Sequence, residues 1–134
     1  MLHEELSGKI LQACFEVSKE LGYGFLESVY EKALIIALRQ KGLNVISQAP
    51  LTVKFRNVVI GEFYADLLVE NKILMELKAV NNLANEHFAQ ILNYLKATGI
   101  EVGLIINFGN PKLEYRRFNS RFHSKINVRD LLNE

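Results

Sequence analysis

The chain has 134 residues, 49% of them hydrophobic and 23% charged, with sixteen Lys and Arg against fifteen Asp and Glu for a formal charge of +1. That length suits one domain, 1–134, able to bury a core without disulfide or structural metal. The balance excludes a disordered chain, and the near-zero charge excludes a uniformly basic coat for nucleic acid. Cys14 is the only cysteine, so there is no intrachain disulfide and no cysteine-rich zinc site. Glu4 and Glu5 stand where a secretory leader would carry basic residues before an apolar run. No apolar stretch reaches the ~20 residues of a membrane span. The expectation is a soluble, cytoplasmic protein with no membrane partner.

Leu2, Leu6, Ile10, Cys14, Val17 and Leu21 recur at spacings of three and four, which predicts an amphipathic helix ending at Gly22. A second helix is expected from Phe25 to Lys41, stopped by Gly42. Segments 43–48 and 51–60, separated by Ala49-Pro50, read as strands. Gly61 to Val69 reads as another strand, with Ile73 to Val80 its hairpin partner. Helical spacing returns from Ala84 to Ala97 before Gly99, and Glu101 to Phe108 suits a strand buried on both faces. Leu113 to Phe118 is a candidate edge strand, and Val128 to Leu132 a short terminal helix. The fold class is therefore α/β (α+β mixed), a central mixed β-sheet flanked by helices.

The hairpin carries the chemistry. Alternation puts Phe63, Ala65, Leu67 and Val69 on one face of its first arm, and Ile73, Met75, Leu77 and Ala79 on one face of the second. Placing all eight on one side of the sheet requires an odd-numbered turn, here Glu70-Asn71-Lys72, with Val69 opposite Ile73 and Leu67 opposite Met75. The same register sets Asp66 opposite Glu76 and Tyr64 opposite Lys78. Opposed carboxylates with Cβ atoms ~5 Å apart repel unless a cation or a shared proton lies between them. The plain alternative is a solvated outer face, weakened because Leu68 and Leu74 share that face with the charges.

Oxygen ligands at this separation suit a hard divalent cation such as Mg²⁺, which can activate water and stabilise charge growing on a phosphodiester. Lys78 follows Glu76 on the same face and reads as an electrostatic and water-positioning cation rather than a neutral base. His3, His87 and His123 are too dispersed for zinc.

Asp66 followed by Glu76-Leu77-Lys78 on the next strand resembles the core of the PD-(D/E)XK nuclease superfamily, with Tyr64-Ala65 in place of its proline. Gly24-Phe-Leu-Glu27-Ser-Val-Tyr30 is similar to the G-x-x-E-x-x-Y signature of one small branch. Gln90-Ile-Leu-Asn-Tyr94 is similar to the Q-x-x-x-Y element of its RecB-like members, and the run from Gly99 to Gly109 also looks like that branch. The resemblance spans about residues 5–118 and implies a restriction-endonuclease-like core. It implies that Glu27, Asp66, Glu76 and the backbone carbonyl of Leu77 surround one or two metal ions, Mg²⁺ or alternatively Mn²⁺. It implies catalytic roles for Glu27, Asp66, Glu76, Lys78, Gln90 and Tyr94. By residue alone, Glu27 equally suits the dipole at a helix start, and Gln90 with Tyr94 equally suits a structural hydrogen bond.

The charges are unevenly placed. Lys112, Arg116, Arg117, Arg121, Lys125 and Arg129 face only Glu114 within 111–129, a local +5 against −4 elsewhere. Tyr115, Phe118 and Phe122 interleave with these cations, a composition suited to phosphate contacts and base stacking, with a solvated strand and tail as the alternative. Lys112, Arg116, Arg117, Arg121 and Lys125 are the candidate nucleic-acid contacts. The leading expectation is a Mg²⁺-dependent nuclease acting on DNA, with RNA left open, and a homodimer as one way to cut both strands. The alternatives are a non-catalytic binding or assembly module on the same fold and a metal-dependent phosphohydrolase for small esters.

Overall fold

The computed structural model describes residues 2–120. The predicted helix Val128–Leu132 and the candidate contacts Arg121 and Lys125 lie outside them. Two helices come first, α1 (Glu4–Leu21) and α2 (Glu27–Gln40). Strands β1 (Val45–Phe55), β2 (Val58–Val69) and β3 (Ile73–Lys78) follow, then helix α3 (Asn85–Thr98) and strands β4 (Val102–Asn107) and β5 (Glu114–Asn119). The five strands lie in sequence order in one sheet. Only the β3–β4 pair is parallel, because α3 carries the chain across between them. No helix among the described residues is long and apolar enough to cross a membrane.

The sheet is covered on both faces, as the helix patterns require. Ile10, Ala13, Cys14 and Val17 of α1 and Tyr30, Leu34 and Leu38 of α2 pack on Leu67, Val69, Ile73, Met75, Leu77, Leu104 and Ile106. On the other face Ile91, Tyr94 and Leu95 of α3 pack on Leu74, Ile105, Ala49, Leu51 and Ala65. Every residue of β4 is buried, as its unbroken apolar run predicted. Gly103 lets α3 pack closely there: a Cβ would stand 2.9 Å from the end of the Ile91 side chain, which would have to shift. Cys14 is fully buried and its thiol is pushed up by that burial, the state of an inert core residue.

Two expectations are corrected. The predicted pair of strands at 43–48 and 51–60 is instead one strand, β1, that runs through Ala49-Pro50 and turns at Arg56 and Asn57, both with positive φ. Pro50 is tolerated because β1 is an edge strand. The turn was hidden because Arg56-Asn57 lacks the glycine that usually marks a two-residue hairpin. Gly61 consequently lies inside β2.

The second correction concerns strand faces. Leu67 and Val69 join the α1–α2 core, but Ala65 joins the α3 core, and Phe63 is exposed with its ring 5.8 Å from that of Tyr94. The same exchange occurs in β1 between Val45 and Ala49. Both reversals fall where Gln48 takes φ 51° opposite Asp66, a step the β1–β2 ladder omits. The eight apolar residues therefore do not share one side.

Candidate active site

The hairpin register is the one the pattern demanded: Val69 pairs with Ile73, Leu68 with Leu74 and Leu67 with Met75. Glu70 and Asn71 both adopt positive φ, and Lys72 donates its N–H to the Val69 carbonyl 3.0 Å away. Beyond Leu67 and Met75 the pairing stops, so neither Asp66 with Glu76 nor Tyr64 with Lys78 forms the expected ladder pair. Tyr64 pairs with Pro50 of β1 instead.

The acidic pair occupies the opening. Asp66 Oδ2 accepts the Leu77 N–H at 2.7 Å, and the Asp66 N–H points at Glu76 Oε1, 3.4 Å away. The carboxyls thus occupy positions that ladder bonds would otherwise fill. Glu76 is 5% exposed, and its pKa rises from 4.5 to about 8. Burial is the main cause and the charge of Asp66 the next, while Lys78 pulls in the other direction. Lys78 is half-buried, and its carbonyl accepts the Phe108 N–H at 2.8 Å.

Glu27 reaches the site through a clamp at its own motif. Tyr30 is fully buried, stacked on Phe108 with ring centroids 4.6 Å apart. Its hydroxyl donates to the Gly22 carbonyl at 2.7 Å and accepts the Phe25 N–H at 3.3 Å. Together with Gly24 at φ 116°, this fixes the loop that begins α2 at Glu27. A cavity of about 210 Å³ is lined by Glu27, Ser28, Glu31, Gln48, Asp66 and Leu77. Glu31 and Gln48 were not anticipated. Gln48 Nε2 donates to Glu31 Oε1 at 2.7 Å, and only the face exchange at Gln48 brings it here.

On the α3 side, Gln90 Nε2 donates to the Tyr94 hydroxyl at 2.9 Å. Burial raises the Tyr94 phenol above its ordinary range; the Gln90 bond opposes this, and the charges of Glu76 and Asp66 add to it. Tyr94 therefore feels the charges of the acidic pair, and Gln90 is tied to Tyr94 by the hydrogen bond. His87 is occupied structurally, its Nδ1 accepting the Ala84 N–H at 3.0 Å.

Sequence reasoning also missed what braces the exit of β3. Asn107, with no exposed surface, takes the Val80 N–H on Oδ1 at 3.0 Å and gives Nδ2 to the Val80 carbonyl at 2.9 Å and to Glu114 Oε1 at 3.1 Å. Gly109 lies so close that a Cβ would stand 2.2 Å from the Val80 carbonyl oxygen. The Asn-Phe-Gly run was the available signal.

The basic strand is divided. Arg116 pairs with Ile105 on the α3 side and lies 5.8 Å from the Phe88 ring. Arg117 pairs with Leu104 on the other side and donates to the Ser7 hydroxyl and the Leu2 carbonyl at the start of α1. Alternation along β5 is the reason. Lys112 is exposed in the loop before β5.

The donor set fits a hard cation. Glu27, Asp66 and Leu77 line the cavity, and Glu76 adjoins it through its Oε1, which lies 3.4 Å from the Asp66 backbone N–H. Among the described residues no three His, Cys, Asp or Glu side chains form a ready cage. Two neighbouring carboxyl groups and a backbone carbonyl are oxygen donors of the kind hard divalent cations take.

A family model described as the PD-(D/E)XK nuclease superfamily matches residues 4–118. No curated protein sequence matches the chain significantly. Among solved structures, one titled as the crystal structure of SSO0001 is similar at TM-score 0.54 and 15% identity, over 87% of this chain and 59% of that one. An alkaline exonuclease, LHK-Exo from Laribacter hongkongensis, aligns at TM-score 0.49 and 13% identity, over 70% of this chain and 57% of its own. The chain thus spans less than two thirds of either structure. The α/β core of a mixed sheet flanked by helices is the fold the sequence led us to expect.

Proposed function

The chain belongs to the PD-(D/E)XK nuclease superfamily, and from that premise we propose that it is a divalent-metal-dependent nuclease that hydrolyses DNA phosphodiester bonds. The observation that carries the reading is the contact between Asp66 and Glu76 where β2 and β3 part, with Lys78 one step along the same face. Membership of the G-x-x-E-x-x-Y branch is supported by the way Gly24, Glu27 and Tyr30 act as one unit.

Asp66 and Glu76 would hold the ion, with the Leu77 carbonyl and Glu27 completing its surroundings. A bound Mg²⁺ or Mn²⁺ would supply water activation and neutralise charge developing on the phosphate. A cation held there would offset the burial and the Asp66 charge that disfavour an ionised Glu76. Lys78 donates hydrogen bonds to the attacking water or to a phosphate oxygen. Gln90 and Tyr94 orient the strand and its water from the α3 side. Lys112 and Arg116 serve as peripheral phosphate contacts, whereas Arg117 anchors α1.

The test is cleavage of single-stranded, duplex and branched DNA, and of RNA, with Mg²⁺, Mn²⁺ or chelator. Asp66→Asn, Glu76→Ala and Lys78→Ala serve as controls. Metal-dependent DNA cleavage lost in all three supports the reading, and cleavage unaffected by them sinks the site. Binding without cleavage would favour a non-catalytic module. Hydrolysis confined to small esters would favour a phosphohydrolase.

A further inference from the structure

One face of α3 looks across a groove at the outer half of the β1–β2 hairpin. It presents Glu86, Gln90, Asn93 and Ala97 at spacings of four, three and four, while Ile91 and Leu95 are buried in the core. The opposite wall is Thr52, Val53 and Lys54 of β1 with Phe63 of β2, and the groove encloses about 1130 Å³. The face exchange at Gln48 and Asp66 aims this half of the hairpin at α3. Gln90 and Tyr94 both line the groove, and Tyr94 packs in one cluster with Ala65, the neighbour of Asp66, so this end of the groove lies beside the candidate active site.

Its chemistry is that of a strand track. Lys54 and Lys96 are exposed cations of the lining, against Glu86 as its one acid. Phe63 and Tyr94 place two aromatic rings 5.8 Å apart at 40°, and Gln90 and Asn93 add amides. Cations that follow a backbone beside aromatics that take base faces are the recurring means of holding single strands. The bases of a duplex are already stacked on one another, whereas those of a single strand present open faces to an aromatic ring.

We propose that this groove holds a single-stranded segment of the substrate, with bases against Phe63 and phosphates beside Lys54 and Lys96, and delivers it to Asp66 and Glu76. What happens at the groove's end rests on the nuclease reading; binding along it does not. Single strands, flaps and unpaired ends are then the substrates, ahead of intact duplex.

The test is fluorescence anisotropy of a labelled oligothymidine with the full chain in chelator, against a duplex of equal length. The Lys54→Ala/Lys96→Ala double variant should weaken binding about tenfold and reduce the log–log salt slope by about 1.4, the value for two single-strand phosphate contacts. Phe63→Leu, which keeps apolar bulk and loses the aromatic face, should weaken it roughly fivefold with the slope unchanged. Undiminished affinity in both variants, tighter binding of duplex, or no binding by the wild type would each overturn the groove. Groove-dependent binding without cleavage under any metal would sink the nuclease reading alone. Cleavage lost in Asp66→Asn while binding ignores both groove variants would sink the groove alone.

Discussion

Gln48 stands opposite Asp66 at a step the β1–β2 ladder omits, and both strands exchange faces there. The consequences reach both sides of the sheet. Asp66 is freed from strand pairing with β1 and turns its carboxylate to the Leu77 N–H, while the outer hairpin packs Ala49, Leu51 and Ala65 towards α3. The acidic pair and the groove beside it thus share one local backbone origin.

Gln48 holds φ 51°, where a side chain costs roughly 1–2 kcal/mol. Gln48→Gly should therefore leave stability unchanged or raise it, at the loss of the bond to Glu31. Gln48→Val should lower stability by about 1–2 kcal/mol, because a β-branched residue resists this conformation. Urea denaturation of the two variants checks the contrast. Equal stability would refute the strained step.

Two substitutions separate the structural bond of Asp66 from its proposed chemistry. Asp66→Asn keeps an oxygen to accept the Leu77 N–H but loses the charge; Asp66→Ala loses both and leaves that N–H unpaired, a cost of about 1–3 kcal/mol. Both should reduce cleavage by at least ~100-fold, as when a single electrostatic group at a reacting phosphate is lost. Only the alanine variant should show a clearly lower thermal midpoint. Cleavage by Asp66→Asn near the wild-type rate would refute the assignment.

The sequence shows the hairpin register because an apolar alternation tolerates only an odd turn, and the observed pairs from Leu67–Met75 to Val69–Ile73 follow it. The approach of Asp66 to Glu76 came with that register. Alternation alone could not show the face exchange, since Gln48 carries no glycine to advertise a positive φ. The Arg56-Asn57 turn was invisible for the same reason. Charge counting placed Arg116 and Arg117 in one basic segment, but neighbours on a strand point to opposite faces, and Arg117 is tied to Ser7. Glu31 escaped notice because only the folded chain brings Gln48 of β1 to α2.

In the proposed mechanism Tyr30 acts on the site through Glu27. Tyr30→Phe removes the hydroxyl that bridges the Gly22 carbonyl and the Phe25 N–H but keeps the ring stacked on Phe108. A loss of about 1 kcal/mol in stability is expected, the worth of such a hydrogen bond. Cleavage should fall with it if the loop sets Glu27. Glu27→Gln should lower cleavage without the stability loss, and calorimetry beside a cleavage assay reads both.

Glu76 links stability to pH. Its carboxyl titrates near 8 in the folded chain and near 4.5 when unfolded, so between these values the folded state holds a proton that the unfolded state has released. Stability should therefore be fully present below pH 4.5 as far as Glu76 is concerned, and be lost as pH rises through about 8. The slope for one proton is at most about 1.4 kcal/mol per pH unit. Thermal midpoints measured in chelator should fall across this window. Glu76→Gln, which stays neutral, should flatten the fall. Mg²⁺ should restore stability most at the alkaline end, where the ionised carboxylate is available to it. A wild-type profile in chelator that parallels Glu76→Gln would show that Glu76 is not held protonated by the fold.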